Sequence, residues 1–250
     1  MSGDQTAEKR ELLWLYSTGE HECSYLPDRR ARTVFVDPRH PLTASQYGAL
    51  ARQGMRRSGA YVYQPNCANC QACKSLRVDA RAFRPNRSQR RCLKRNDDLR
   101  VISRPPVFRE EHFQLYLDYL DQRHPGSSMQ DPERDRYMEF LVADWSSTLF
   151  NEIRCGETLL GVAVTDQLPD GLSAVYTFFD PSAARRSLGT WAILWQISEA
   201  RAAGLPHVYL GYWIAESPRM RYKTAFRPCE IHSGGRWQVF DDSRVKHAPE

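Results

Sequence analysis

Residues 171–212 read GLSAVYTFFDPSAARRSLGTWAILWQISEARAAGLPHVYLGY, and this stretch decides the fold. It begins with a strand-length apolar run, Leu172–Phe179, and ends with another, His207–Tyr212. Between them the Asp180-Pro181 break leads into a helical segment from Arg186 to Ala203 that Gly204 stops. Upstream, a strand over 148–154 turns at Gly156 into a second over 158–166, and Asp170-Gly171 is a hairpin signal into the third. Hairpins followed by strand–helix–strand predict an α/β chain, in detail an α+β mixed sheet with helices on its faces.

Outward from there the pattern weakens. Residues 109–123 and 132–145 predict two helices. Phe113, Leu117 and Leu120 form the core stripe of the first, and Tyr137, Phe140, Leu141 and Trp145 that of the second. Apolar runs at 12–16, 33–36, 61–63 and 76–80 predict strands around a helix near 43–57, capped by Thr43 or Ser45 and followed by Gly59. Ser103–Val107, with Pro105 and Pro106, reads as a linker. The expected organisation is an N-terminal domain over 1–105, a second domain over 106–240 and a loose tail over 241–250.

With 250 residues, 41% of them hydrophobic and 26% charged, the chain has the composition of a soluble globular protein. No run of eighteen apolar residues occurs, and the polar start MSGDQTAEKRELL lacks the apolar stretch of a secretory signal. Seven cysteines, an odd number, suit the reducing cytoplasm better than a disulfide framework. The net charge of +5 is unevenly spread. Up to residue 105 there are 20 Lys and Arg against 10 Asp and Glu, and beyond it 15 against 20. A positive first half suits a polyanion, although an Arg-rich solvated surface gives the same count. The densest stretch, RAFRPNRSQRRCLKR (81–95), carries seven basic residues and no acid. With Pro85 at a helix start, Arg87, Arg91 and Lys94 or Arg95 fall at spacings of three and four on one helical face, a stripe that with Arg90 can track phosphates through forked contacts. Tyr47, Tyr61 and Tyr63 are either core or stacking surfaces for unpaired bases.

Cys67-x-x-Cys70-x-x-Cys73 has the spacing of a zinc or iron–sulfur site, with Cys23 or His21 as the further ligand. The alternative is a polar loop of reduced thiols. Cys92, Cys155 and Cys229 are isolated and read as small buried hydrophobes.

Arg185-Arg186-Ser187-Leu188-Gly189-Thr190 opens the long helix directly after a strand. Arg186, the close-approach Gly189 and unpaired helix N–H groups suit a phosphate. With the hairpins before it and the strand and Tyr222-Lys-Thr-Ala-Phe226 after it, this order resembles the GNAT acyltransferase fold. The segments CSYLP, CANCQACKSLRV, FRPNRSQRRCLKRN, LSAVYTFFDP, RRSLG, YLGYWI and SPRMRYKTAF resemble the bacterial aspartate/glutamate leucyltransferases, relatives of the eukaryotic arginyl-tRNA–protein transferases. That resemblance runs from about residue 10 to 240. It implies a cytoplasmic N-degron enzyme that moves leucine from leucyl-tRNA to proteins with N-terminal Asp or Glu. Neither coenzyme A nor a membrane takes part. It also implies an iron–sulfur cluster or zinc on N-terminal cysteines. Cys23 matches that pattern, but its next cysteine is Leu26 here, so Cys67, Cys70 and Cys73 complete the set. No cofactor is required for the transfer itself.

The chemistry asks for few groups. The α-amine titrates near pH 8 and needs only a modest base or a water relay. The oxyanion needs N–H donors, and the leaving ribose oxygen needs a proton, which Tyr222 can supply if it is not simply packed beneath the sheet. Glu216 and Asp180 stand at strand ends, where they either orient the amine or cap helices; for Asp180 the cap is the better reading. An acidic acceptor demands a cation, for which Arg77 and the stripe Arg87, Arg90, Arg91 are the candidates. A coenzyme-A-dependent N-acetyltransferase and a non-catalytic zinc module binding RNA are the competing readings.

Overall fold

The computed structural model describes residues 12–123 and 132–244; most of the polar start and the end of the expected tail lie outside them. The first third forms strands β1 (Leu15–Ser17), β2 (His21–Glu22), β3 (Arg30–Ala31) and β4 (Thr33–Val36) and helix α1 (Ala44–Arg52). Strands β5 (Arg56–Ser58), β6 (Tyr61–Pro65) and β7 (Lys74–Asp79) follow, then helix α2 (Arg87–Arg95) and strand β8 (Leu99–Arg104). Helices α3 (Glu110–Arg123) and α4 (Arg134–Leu141) lead to strands β9 (Thr148–Cys155), β10 (Thr158–Leu168) and β11 (Gly171–Phe179). Helix α5 (Leu188–Ala202) and strands β12 (His207–Trp213), β13 (Cys229–Ser233) and β14 (Arg236–Val239) complete the order.

Local chemistry sets the helix ends. Thr43 and Gln46 close a capping box on α1, and Asn86 and Gln89 another on α2 just after Pro85. Helix α1 is shorter than expected. Gly54 adopts φ +90°, a left-handed conformation natural to glycine, and turns the chain into β5, so Arg56 and Arg57 lie in a strand paired with β6.

The large sheet has eight strands in the order β14-β13-β7-β12-β11-β10-β9-β8. Its one parallel pair is β11 and β12, joined by the α5 crossover, so the sheet is mixed as expected. That ladder runs only from Gly171↔His207 to Ser173↔Tyr209, leaving the two strands without mutual pairing toward their C-terminal ends. The division at 105 does not separate sheets: β7 pairs with both β12 and β13, and β8 pairs with β9. Ser103 and Arg104 of the expected linker belong to β8. Strand pairing is non-local, and the local proline signal at 105–106 carried no information about it.

One face of the sheet packs α2 and α5 around Leu76, Val78, Trp191, Ile197 and Leu210. The other packs α3 and α4 around Tyr116, Tyr137, Phe150 and Phe178. Beside them, α1 and the small sheet β1-β4-β6-β5 cover Leu168 and Tyr209. A bulge between Tyr209 and Gly211 resets the β12 alternation. Tyr209 joins the core under the small sheet and Tyr212 hydrogen-bonds Tyr63 there, while Leu210 and Trp213 lie in the core against α5. Gly211 itself has φ +76°. Among the described residues no helix is long and apolar enough to cross a membrane.

Candidate functional site

β11 and β12 cease to pair beyond Ser173 and Tyr209, and the candidates Asp180 and Gly189 follow the C-terminal end of β11. After β11, Asp180 accepts a hydrogen bond from the Ser182 N–H at 2.8 Å and caps a short 3-10 helix over Pro181–Arg186. Of its two expected roles Asp180 therefore fills the capping one. Ser187 sits at φ +55°, and α5 begins without a side-chain cap or an acidic residue in its first turn. Gly189 lies against β11: a Cβ there would come within 3.3 Å of the Phe179 ring. Tyr119 packs on the same ring with centroids 5.0 Å apart, and its charge is one of the influences on Tyr222. Tyr222 is 48% exposed, and its surroundings, then Tyr119, raise its phenol above the ordinary value. A tyrosine phenol is protonated at neutral pH and can donate.

Helix α2 joins the Tyr222 turn to the turn before α5. Its buried side carries Gln89, whose Nε2 donates to the Ala225 carbonyl at 3.1 Å, and so grips the turn that holds Tyr222. At its other end Asn96 donates to the Arg186 carbonyl at 2.8 Å, while Arg95 reaches the Arg185 carbonyl. Arg87, Arg90, Arg91 and Arg95 are exposed. Arg90 folds back onto the Pro85 carbonyl, whereas Arg87 and Arg91 have no ion pair among the described residues. Arg186 is not a free phosphate ligand: both its Nη atoms bond Asp98 at 2.8 Å, holding that carboxyl well below the usual range. Arg77 is occupied too. It meets Glu230 at 2.6 Å and lies 4.3 Å over the Trp237 ring. Each was read as a free cation because the carboxylate that neutralises it comes from a distant strand or turn. Tyr47 is core, its ring tilted against Trp145, Tyr63 is half-buried, and Tyr61 alone of the three is exposed.

Cys23, Cys67 and Cys70 each bear electrostatically on Cys73. The charges of Cys23, Cys67, Cys70 and then Glu216 add to burial in pushing the Cys73 thiol up to about 12. Cys67 contacts the Arg32 carbonyl and Arg29 contacts the Cys70 sulfur. Four thiols make a chemically sufficient donor set. Among the described residues, however, no three His, Cys, Asp or Glu side chains are placed around a common metal position. Leu26, where the related pattern has cysteine, is buried. Glu216 is exposed beside this loop and lines a cleft of about 320 Å³ with Gln71, Lys74 and Trp213. Cys92 and Cys229 are buried as expected, but Cys155 is partly exposed and donates to Asp98.

Three buried cations, Lys223, Arg56 and Arg57, were not foreseen. Lys223, next to Tyr222, donates to the Tyr212 carbonyl at 2.5 Å and contacts the Met220 sulfur at 3.4 Å. Burial, then Arg56, pulls its amine down to about 8. Arg56 is 5% exposed and lies 4.9 Å over the Tyr209 ring. Burial disfavours its charge, and the groups that oppose this are Tyr212, Tyr47, Tyr209 and Tyr63. Nothing in hydrophobic periodicity marks a basic residue for burial, and the only cue was Lys223 beside the motif Tyr222–Phe226.

Comparison with known proteins identifies the family. The family model described as "Arginine-tRNA-protein transferase, N terminus" matches residues 21–91, and the one for the C terminus matches 111–233. A protein of Alkalilimnicola ehrlichii named aspartate/glutamate leucyltransferase is 57% identical over 90% of this chain and 95% of its own. Relatives of the same name are 50% identical in Pseudomonas fluorescens (92% of this chain, 97% of that one) and in Halorhodospira halophila (92% and 98%).

Proposed function

The chain belongs to the aspartate/glutamate leucyltransferases, within the arginine-tRNA–protein transferase family, and from that premise we propose that it takes leucine from leucyl-tRNA and joins it to the α-amine of proteins beginning with Asp or Glu. The product is an N-degron that marks the acceptor for degradation in the cytoplasm. As an aminoacyltransferase the enzyme needs a nucleic acid and a protein amine at one place. The observation that carries the reading is the anchoring of α2: Gln89 ties its arginine ridge to the Tyr222 turn, and Asn96 ties it to the turn before α5.

In this reading Arg87 and Arg91 follow the phosphates of the acceptor stem, and the open first turn of α5 takes a phosphate near the terminal ribose. The acceptor nitrogen attacks the ester carbonyl, the N–C bond forms, and the C–O bond to the ribose breaks. Tyr222 gives its proton to the departing ribose oxygen and regains, through solvent, the proton that the attacking nitrogen sheds as the amide forms. Glu216 is the acid left to orient that amine, since Asp180 is committed to its cap. A zinc ion or iron–sulfur cluster on Cys23, Cys67, Cys70 and Cys73 would pin the 66–73 loop, and no step passes through it.

Leucyl- and arginyl-tRNA carrying labelled amino acid, offered with peptides beginning Asp, Glu or Ala, test the proposal. Leucine is expected on the Asp and Glu peptides. Labelling no higher than on the Ala peptide would refute it.

A further inference from the structure

Arg56 and Arg57 are neighbours on β5, and both are buried. Arg57 turns the Nε–Nη2 edge of its guanidinium to the two oxygens of Asp166, at 2.5 and 2.7 Å, with side-chain exposure of 0% for both partners. This is the forked contact that a guanidinium makes to a carboxylate. Arg56 spends only Nη1, on the carbonyls of Met55 and Ala51 at 2.6 and 3.2 Å. Its Nε and Nη2, the same edge that grips Asp166 in its neighbour, are buried with no hydrogen-bond partner among the described residues.

Buried charged donors left unpaired are costly and uncommon, so an open fork in an interior calls for an anion. The surroundings agree in sign. The charge that bears on Lys223 is that of Arg56, and His232 is held toward its neutral form by burial and then by Arg56, Arg77 and Lys74. Around Arg56 itself stand phenols rather than carboxylates as the main favourable groups. The nearby Glu230 is engaged by Arg77.

We propose that the Nε–Nη2 edge of Arg56, linked to Lys223 through Tyr63 and Tyr212, receives a carboxylate, and that this carboxylate is the side chain of the acceptor's first residue. The second half of that statement rests on the transferase reading above. Lys223 and Tyr222 are consecutive, so the group that would sense the acid is one residue from the group that would protonate the ribose. In Asp or Glu, the α-amine and the side-chain carboxylate are likewise only a few bonds apart. Selectivity follows because an Asn or Gln acceptor brings an N–H₂ group toward a cation that has donors only.

The test uses the whole enzyme with Arg Nε labelled by ¹⁵N. Adding a peptide beginning with Asp, without tRNA, is expected to shift one buried Nε–H signal that is missing from Arg56→Lys, and a peptide beginning with Asn is expected to leave it in place. In transfer assays Arg56→Met should lower kcat/KM for the Asp peptide by on the order of a hundredfold, the loss of a charge-assisted fork, with affinity for leucyl-tRNA unchanged. Should Arg56→Met fail to fold, Arg56→Lys and the spectrum of the unaltered protein still decide. An Nε signal indifferent to Asp peptide at concentrations that saturate transfer would overturn the site. So would a signal moved by leucyl-tRNA in place of the peptide, since the anion would then be a phosphate. A signal that answers the Asp peptide in a protein that transfers no leucine would keep the carboxylate site and defeat the transferase reading instead.

Discussion

Arg57 and Arg56 stand side by side on β5 and lead into two unlike interiors. Around Arg57 every need is met: Asp166 takes the fork, the Leu141 and Gly59 carbonyls and Thr148 take the rest, and the small sheet is clamped to β10. Around Arg56 the fork is left open over tyrosine rings, with a second cation close by. The difference teaches that a buried charge is a strut when its partner is in the chain and a receptor when its partner is missing.

The comparison can be broken most forcefully at the strut. Asp166→Asn or Arg57→Met leaves an uncompensated buried charge or its empty partner, and chemical denaturation should show a loss of about 3–5 kcal/mol. The double replacement Arg57→Met with Asp166→Leu should restore much of it. Full stability in the single variants would mean that the pair is idle.

The receptor side is sharpened by pH. The Lys223 amine is lowered to about 8 from an ordinary 10.5, so between those values the unfolded chain binds a proton that the folded chain does not. Stability should therefore rise with pH across that window, by up to about 3 kcal/mol. Lys223→Met should flatten the rise measured by urea denaturation at pH 8 and 10, and an unaltered slope would reassign it to other groups. By contrast Arg56→Met should change stability by only about 1 kcal/mol, because two carbonyl contacts are exchanged for relief of an unpaired charge. A collapse like that of Arg57→Met would make the two arginines equivalent.

Arginines on the surface offer a third setting. Arg87→Ala or Arg91→Ala should leave denaturation unchanged and reduce the slope of log affinity for tRNA against log salt by about one unit each. Slopes equal to the parent's would return α2 to ordinary solvated surface.

These contrasts also explain what the sequence could reveal. The hairpins at Gly156 and Asp170-Gly171, the α5 crossover and β12 were legible because apolar periodicity and turn chemistry are local. The β13–β14 hairpin through Gly234 and Gly235 was overlooked, its strands being short and only half apolar. Arg56 and Arg57 were absorbed into a helix, since a basic pair signals exposure unless its partners are known, and Asp166 lies 109 residues away. For the same reason Arg77 and Arg186 looked available. Gly189 and Tyr222 stood out as candidates because each sits in a compact local motif, RRSLG and YKTAF.

The position of β7 reaches beyond the site. Lys74–Asp79 is wedged between β12 and β13, so the sheet has a gap until a segment made early is met by two made late. A fragment beginning after residue 105 would expose the bare edge of β12, an invitation to self-association. On the ribosome the same six residues must wait for nearly the whole chain to emerge. The halves matched by separate family models are thus woven into a single cooperative body, and severing the gene between them should yield two insoluble pieces that regain order only when refolded together.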